Sequence, residues 1–236
     1  MHREGELPQL VAAHHSPRRF ASALHGGAAF AARHAAEGFA LVKLYYETEW
    51  RELLAVADAL PPGMEFAVDA LWHLPPADAI LMARELDARQ ARWLECPLYP
   101  EDVAGHAALA AAITTPLALG ESYRTLAELA PFLPIAKILQ PDLGRVGITG
   151  FMKIAAAFPG PVVPHLSIAL GPQVAAAIHV AAAAANCDLC EYNPAVLATA
   201  NAFLAEPLQC AGGNYILPAA SGLGVVWNDR GVALTG

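Results

Sequence analysis

Seven residues able to hold a proton or a cation recur along the chain at nearly constant intervals. They are Tyr45, Asp69, Glu95, Glu121, Asp142, His165 and Glu191, and the steps between them are 24, 26, 26, 21, 23 and 26 residues. Asp69, Glu95 and Glu121 are three carboxylates with nothing soft beside them, a set suited to a hard divalent cation, Mg²⁺ first. Clustered without a cation, they would repel and raise one another's pKa. The plainer alternative bonds them to loop amides or arginines; their even spacing favours the metal. Asp142 and His165 form a second group. A carboxylate on one imidazole nitrogen fixes the tautomer and raises the basicity of the other, which makes His165 a candidate general acid or base rather than a structural histidine. Lys43 and Tyr45 are two residues apart, so on a strand they share a face. A phenol beside an ammonium and a divalent cation ionises below its usual pKa of about 10 and can serve as a second acid or base. A barrel-lining Tyr beside a snorkelling Lys fits the same two residues equally well.

Residues spaced this way need a repeating unit to position them. Short apolar runs at 39–45, 64–69, 92–95, 116–120, 135–140, 161–165 and 187–191 read as strands, with a first strand at 19–24. Alanine-rich stretches at 49–60, 77–89, 102–112, 125–131, 148–158 and 172–185 read as helices, as does the stretch running to Glu37. Such alternation implies a parallel sheet with helices outside, and eight strands imply a closed, TIM-like (β/α) barrel. In that fold the C-terminal strand ends converge on the face that carries active sites. Six consecutive strands after Tyr45 would therefore deliver five carboxylates and one imidazole to one mouth. The expected organisation is a tail over 1–17, the barrel over 18–194 and a segment over 195–236 that packs on it. The tail holds His14 and His15, which read as an exposed stretch rather than a metal site.

Composition narrows the class. Hydrophobic residues make up 56% and charged residues 15%, against about 45–50% and about 25% in ordinary globular chains. That excludes disorder and favours extensive burial, in keeping with a homo-oligomer. A net charge of −8 lacks the basic footprint of a nucleic-acid binder. Four cysteines are too few for a disulfide scaffold, and a reducing cytoplasm is the default. The apolar stretch 174–185 has 12 residues and contains His179, short of the roughly 18 a membrane span needs. The acidic N-terminus lacks the pattern of a signal peptide.

Other motifs fail on inspection. Gly120 to Arg124 misses the nucleophile elbow because Arg124 stands where glycine is needed. Cys187 and Cys190 have no second CxxC to complete a zinc site. The glycines at 144, 147 and 150 lack the opening of a dinucleotide fingerprint, and Gly222 and Gly224 are followed by Trp227 where a third glycine would stand.

Taken in order, Gly38-Phe39, Lys43-Leu44-Tyr45, Asp69, Glu95-Cys96-Pro97, Gly120-Glu121, Gln140-Pro141-Asp142 with Arg145 and Gly147, Pro164-His165 and Glu191 resemble one known barrel. It is the barrel domain of the enolase superfamily, specifically of the mandelate racemase and muconate lactonizing enzyme group. The resemblance spans residues 18–194. It implies that Asp69, Glu95 and Glu121 bind Mg²⁺, that Asp142 and His165 form a dyad, and that Lys43 belongs to the catalytic set. It implies a protonated Glu191 donating to the enolate, and removal of the proton α to a carboxylate through an enediolate. Three departures stand out. The second Lys of the family's K-x-K is Tyr45, and a frequent Asn after the first metal ligand is Leu71. The chain starts just before the first barrel strand, so the N-terminal α+β capping domain is expected to be absent.

The K-x-Y arrangement is similar to that of galactarate-type acid-sugar dehydratases. The implied partner is a small carboxylate substrate, with neither nucleic acid nor membrane involved. Dehydration of an acid sugar is the leading expectation. A racemase or epimerase of a 2-hydroxy acid, and a catalytically weak truncated barrel, are the alternatives. In the C-terminal segment a helix is expected over 194–204, and the turns beyond it are expected to expose Ile216, Leu223 and Trp227 as an interface.

Overall fold

The structure, a computed structural model, describes residues 18–23, 27–46 and 50–234. The tail with His14 and His15 lies outside the described residues. Strands β1 (Arg18–Ala23), β2 (Leu41–Tyr45), β3 (Glu65–Asp69), β4 (Leu94–Glu95), β5 (Leu117–Leu119) and β6 (Ile138–Leu139) pair in chain order, all parallel. Strand β7 (Leu189–Tyr192) pairs with β1, again parallel.

The gap between β6 and β7 is filled by segment 161–165. It bridges β6 through Leu139 with Val162 and continues through Asp142 with His165. The Val162 N–H donates to the Asn186 carbonyl at 2.9 Å, just before β7. The ring is thus closed into the expected barrel. Segment 161–165 joins by isolated bridges rather than a continuous ladder because Pro161 and Pro164 have no N–H to donate.

Between the strands run helices α1 (Gly27–Ala36), α2 (Trp50–Asp58), α3 (Pro76–Ala88), α4 (Val103–Ala112), α5 (Leu126–Leu129), α6 (Leu143–Ala157), α7 (Gly171–Ala183) and α8 (Pro194–Asn201). A short hairpin, β8 (Cys210–Ala211) with β9 (Asn214–Tyr215), and α9 (Asp229–Val232) follow.

Alternation along the strands creates two apolar layers. Val42, Leu44, Phe66, Val68, Leu94, Leu119, Leu139, Val162 and Cys190 point outward and pack with the helices. Leu41, Ala67, Trp93, Ala118, Ile138 and Val163 point inward and fill the barrel floor, with Leu189 against them. Two residues further along, the same inward face carries Lys43, Asp69, Glu95, Gln140, His165 and Glu191, all buried. A polar layer therefore sits on a dry floor. The register sets Tyr45 beside Asp69 and Asp69 beside Glu95, while Lys43 stands beside Ala67 and Glu95 beside Ala118 of the floor.

Helix α6 departs from the expected 148–158. Gly147 has φ 65° and ψ 173° and interrupts it, leaving a separate first turn over Leu143–Val146. Asp142 caps that turn by accepting from the Gly144 N–H at 2.6 Å. In the C-terminal segment Ile216 is exposed, but Leu223 and Trp227 are part-buried against the main core. The expected apolar patch shrinks accordingly.

His106 in α4 makes stability pH-dependent. It is buried, its Nδ1 lies 2.7 Å from the Asp102 carbonyl, and its Nε2 has no partner among the described residues. Burial holds its pKa below 6.5. The unfolded chain therefore binds this proton more readily than the folded one. The stability contributed is complete above about pH 6.5 and is lost as pH falls below it. We expect unfolding free energy to drop by up to about 1.4 kcal/mol per pH unit in that window. The slope should flatten in His106→Leu; equal slopes in wild type and variant would contradict this.

Candidate active site

Lys43 is the hub. From β2 its side chain enters the barrel fully buried, and Nζ lies 2.7 Å from Glu95 Oε1, 2.9 Å from Glu191 Oε1 and 3.4 Å from Asp69 Oδ2. Burial disfavours its charge, but Glu191, Glu95, Tyr45 and Asp69 outweigh burial and raise its pKa. It is an ammonium ion held by three acids. The Tyr45 ring centroid lies 5.2 Å from Nζ, at the border between this cluster and the open mouth.

Each acid is oriented by its own partners. Glu95 Oε2 accepts from Trp93 Nε1 at 2.9 Å and from Gln140 Nε2 at 2.8 Å. Asp69 Oδ1 accepts from the Leu71 N–H at 3.0 Å. Its pKa is pushed well up by burial and by Glu95 and Glu121, against the pull of Lys43. Glu121 follows Gly120, whose φ is +146° and where a Cβ would stand 2.7 Å from the Gln140 nitrogen. Only glycine allows β5 and β6 to come that close, and so sets where Glu121 emerges.

His165 joins two carboxylates. Nδ1 is 3.1 Å from Asp142 Oδ2 and Nε2 is 2.9 Å from Glu121 Oε2. Burial opposes its charge, but Glu191, Asp142 and Glu121 prevail and raise its pKa well above 6.5. Glu191 accepts from the Leu166 N–H at 2.8 Å. Burial raises its pKa, but Lys43 and His165 bring it below the usual range. The resemblance required a protonated Glu191; here the surrounding donors favour the carboxylate.

The backbone at the mouth is strained. Leu71, Trp72 and Cys96 have φ of 52°, 59° and 45°, the left-handed region that L-residues seldom adopt. Cys96 directly follows Glu95, Leu71 and Trp72 stand two and three residues after Asp69, and the Trp72 N–H donates to the Cys96 carbonyl at 2.8 Å. Such conformations persist only where the surroundings enforce them, and they cluster at functional sites.

A cavity of about 430 Å³ opens here, lined by Tyr45, Asp69, Trp72, Glu121, Asp142 and His165 among others. The site residues expected from sequence thus converge on one place. Lys43, Glu95 and Glu191 form its buried base, and Tyr45, Asp69, Glu121, Asp142 and His165 its wall. The sequence carries no direct sign that Trp93 and Gln140 orient Glu95, or that the backbone at Leu71 and Trp72 is strained. Trp93 was legible in principle, because it stands two residues before Glu95 and shares its face.

Glu95, Glu121 and His165 each bring one ligand atom within 4.8 Å of the others. Asp69 is adjacent, facing Lys43. Oxygen donors predominate in this group. The donor set suits a hard divalent cation.

A (β/α) barrel carrying an acid cluster and an Asp–His pair at its C-terminal mouth defines the class. The chain belongs to the enolase C-terminal domain-like family, whose model matches residues 27–231. It is 35% identical over 133 residues to L-talarate/galactarate dehydratase from Salmonella typhimurium, covering 54% of this chain and 33% of that protein. It is 32% identical over 212 residues to D-galactarolactone cycloisomerase from Agrobacterium fabrum, covering 82% of this chain and 56% of that protein. The chain thus spans about a third to about half of these relatives' length. The fold matches 3,6-anhydro-D-galactonate cycloisomerase from Zobellia galactanivorans with a TM-score of 0.86 at 22% identity, covering 95% of this chain and 68% of that one.

Proposed function

We propose that this protein dehydrates an acid sugar by removing the proton α to its carboxylate. The observation that carries this reading is the run Asp142–His165–Glu121 on the wall of the cavity that also holds Asp69. Asp69, Glu95 and Glu121 would hold Mg²⁺, which supplies Lewis acidity toward the substrate carboxylate. Asp142 fixes Nδ1 of His165 and directs Nε2 at the cavity. Were Glu121 to turn to the cation, His165 Nε2 would be released to take the α-proton, leaving an enediolate. Lys43 keeps its positive charge beneath the developing negative charge. The β-hydroxyl then leaves as water, taking its proton from the His165 imidazolium or from Tyr45. The resulting enol tautomerises to a 2-keto acid. The likeness to a talarate/galactarate dehydratase and a galactarolactone cycloisomerase supports acid sugars as the substrate class.

The test is incubation with Mg²⁺ and a panel of sugar monoacids and diacids, read as 2-keto product. No product from any acid overturns the dehydratase reading. Calorimetry checks the metal separately. Glu95→Gln should weaken Mg²⁺ binding at least about tenfold, since changes beyond the ligands themselves already cost about 10–100-fold. Unchanged affinity would remove Glu95 from the site.

A further inference from the structure

The cavity wall is dominated by acids and carbon. Asp69, Glu121 and Asp142 lie on it beside Leu71, Trp72, Ile168, Ala195 and Val196. Arg145 is the sole Lys or Arg on that wall among the described residues. Among the described residues of that wall, Arg145 is the side chain that stays cationic at any working pH, and so the natural partner for a second anionic group on a substrate. The neighbouring polar side chain Asn193 carries no charge and is oriented by its Oδ1, which caps α8 by accepting from the Ala195 and Val196 N–H groups.

Arg145 is also anchored to the dyad. It sits on the isolated first turn of α6, and its N–H and that of Val146 both donate to the Asp142 carbonyl at 3.0 Å. Asp142 Oδ1 holds the start of the same turn through Gly144, while Oδ2 holds His165. The left-handed Gly147 ends the turn immediately after. One residue therefore fixes both the root of the guanidinium and the proton-transferring imidazole. Arg145 is exposed at the rim of the cavity, where its side chain is open to an incoming ligand.

We propose that Arg145 selects acid sugars carrying a second, distal carboxylate. Its planar fork pairs with a carboxylate through two parallel N–H···O bonds, which a terminal hydroxymethyl group cannot reproduce. This rests on the acid-sugar reading above and adds to it the end of the substrate that is recognised.

The test uses galactarate and galactonate, which differ only in the distal carboxylate, with the full chain and its Arg145→Met and Arg145→Lys variants. The ratio of kcat/KM for galactarate over galactonate should fall about 10–100-fold in Arg145→Met, the range for losing a hydrogen bond to a charged group. The loss should appear in KM, and Arg145→Lys should recover part of it. A ratio unchanged in Arg145→Met overturns the inference. Calorimetry with glutarate, an unreactive dicarboxylate, gives a readout free of turnover. Affinity for glutarate that Arg145→Met abolishes supports the inference even if neither sugar is turned over, a result that would reject the dehydratase reading alone. Equal glutarate affinity in wild type and Arg145→Met, or none in either, overturns it.

Discussion

Replacing Lys43 with Met should destabilise this protein by about 3–5 kcal/mol, the cost of removing one partner from a buried ionic cluster. Methionine matches the volume of the stem, so the core packing stays filled and the loss is electrostatic. Glu95, Glu191 and Asp69 all lie within 3.4 Å of Nζ, and without the ammonium three buried acids face one another. They must then take up protons or admit water. Adding Glu191→Gln to Lys43→Met should return part of the loss, because one repelling charge goes with it. Denaturant melts of the two single variants and the double variant measure the coupling. A loss within about 0.5 kcal/mol, the range of ordinary surface changes, would show that Lys43 does not hold the cluster together.

His165→Asn should lower turnover about 10²–10⁴-fold, the usual contribution of a positioned acid–base group. Asparagine can still hydrogen-bond to Asp142 but cannot accept the α-proton. Mg²⁺ affinity separates the two roles open to His165. Its Nε2 lies in the same tight group as Glu95 and Glu121, so a ligand role would make His165→Asn weaken the metal as strongly as Glu95→Gln does. A base role leaves Mg²⁺ affinity near that of wild type. We expect the second result, with turnover lost; full turnover by His165→Asn would reject the dyad.

Much of this geometry was legible in the chain because each strand-plus-helix unit consumes a similar number of residues. That regularity places Asp69, Glu95, Glu121 and Glu191 at equivalent points of successive units, and period-two alternation puts Lys43 on the face of Tyr45. Pairing across the barrel was not legible. Lys43 meets Glu95 at a separation of 52 residues, and spacing alone does not reveal which acid receives the ammonium. Lys43 also lies 2.9 Å from Glu191 Oε1, and against burial that ammonium and His165 favour the carboxylate over the protonated form that the resemblance implies. The broken start of α6 was missed because Gly147 looks like one glycine of a loop motif. Its left-handed φ emerges only once Asp142 has capped the preceding turn. Pro161 and Pro164 stood in plain view, yet their effect on the ladder depends on which N–H groups the neighbouring strands require.

The most direct test of the proposed chemistry is exchange at the α-carbon, which reports proton abstraction whether or not water is later lost. Galactarate is incubated with the protein and Mg²⁺ in D₂O, and the α-proton signal is followed by NMR in the substrate and its product. Wild type should replace the α-proton with deuterium, chelation of the metal should stop this, and His165→Asn should stop it with Mg²⁺ present. Exchange by His165→Asn at the wild-type rate, or its absence in wild type across the panel of acid sugars, would contradict α-proton abstraction by His165 at this barrel mouth.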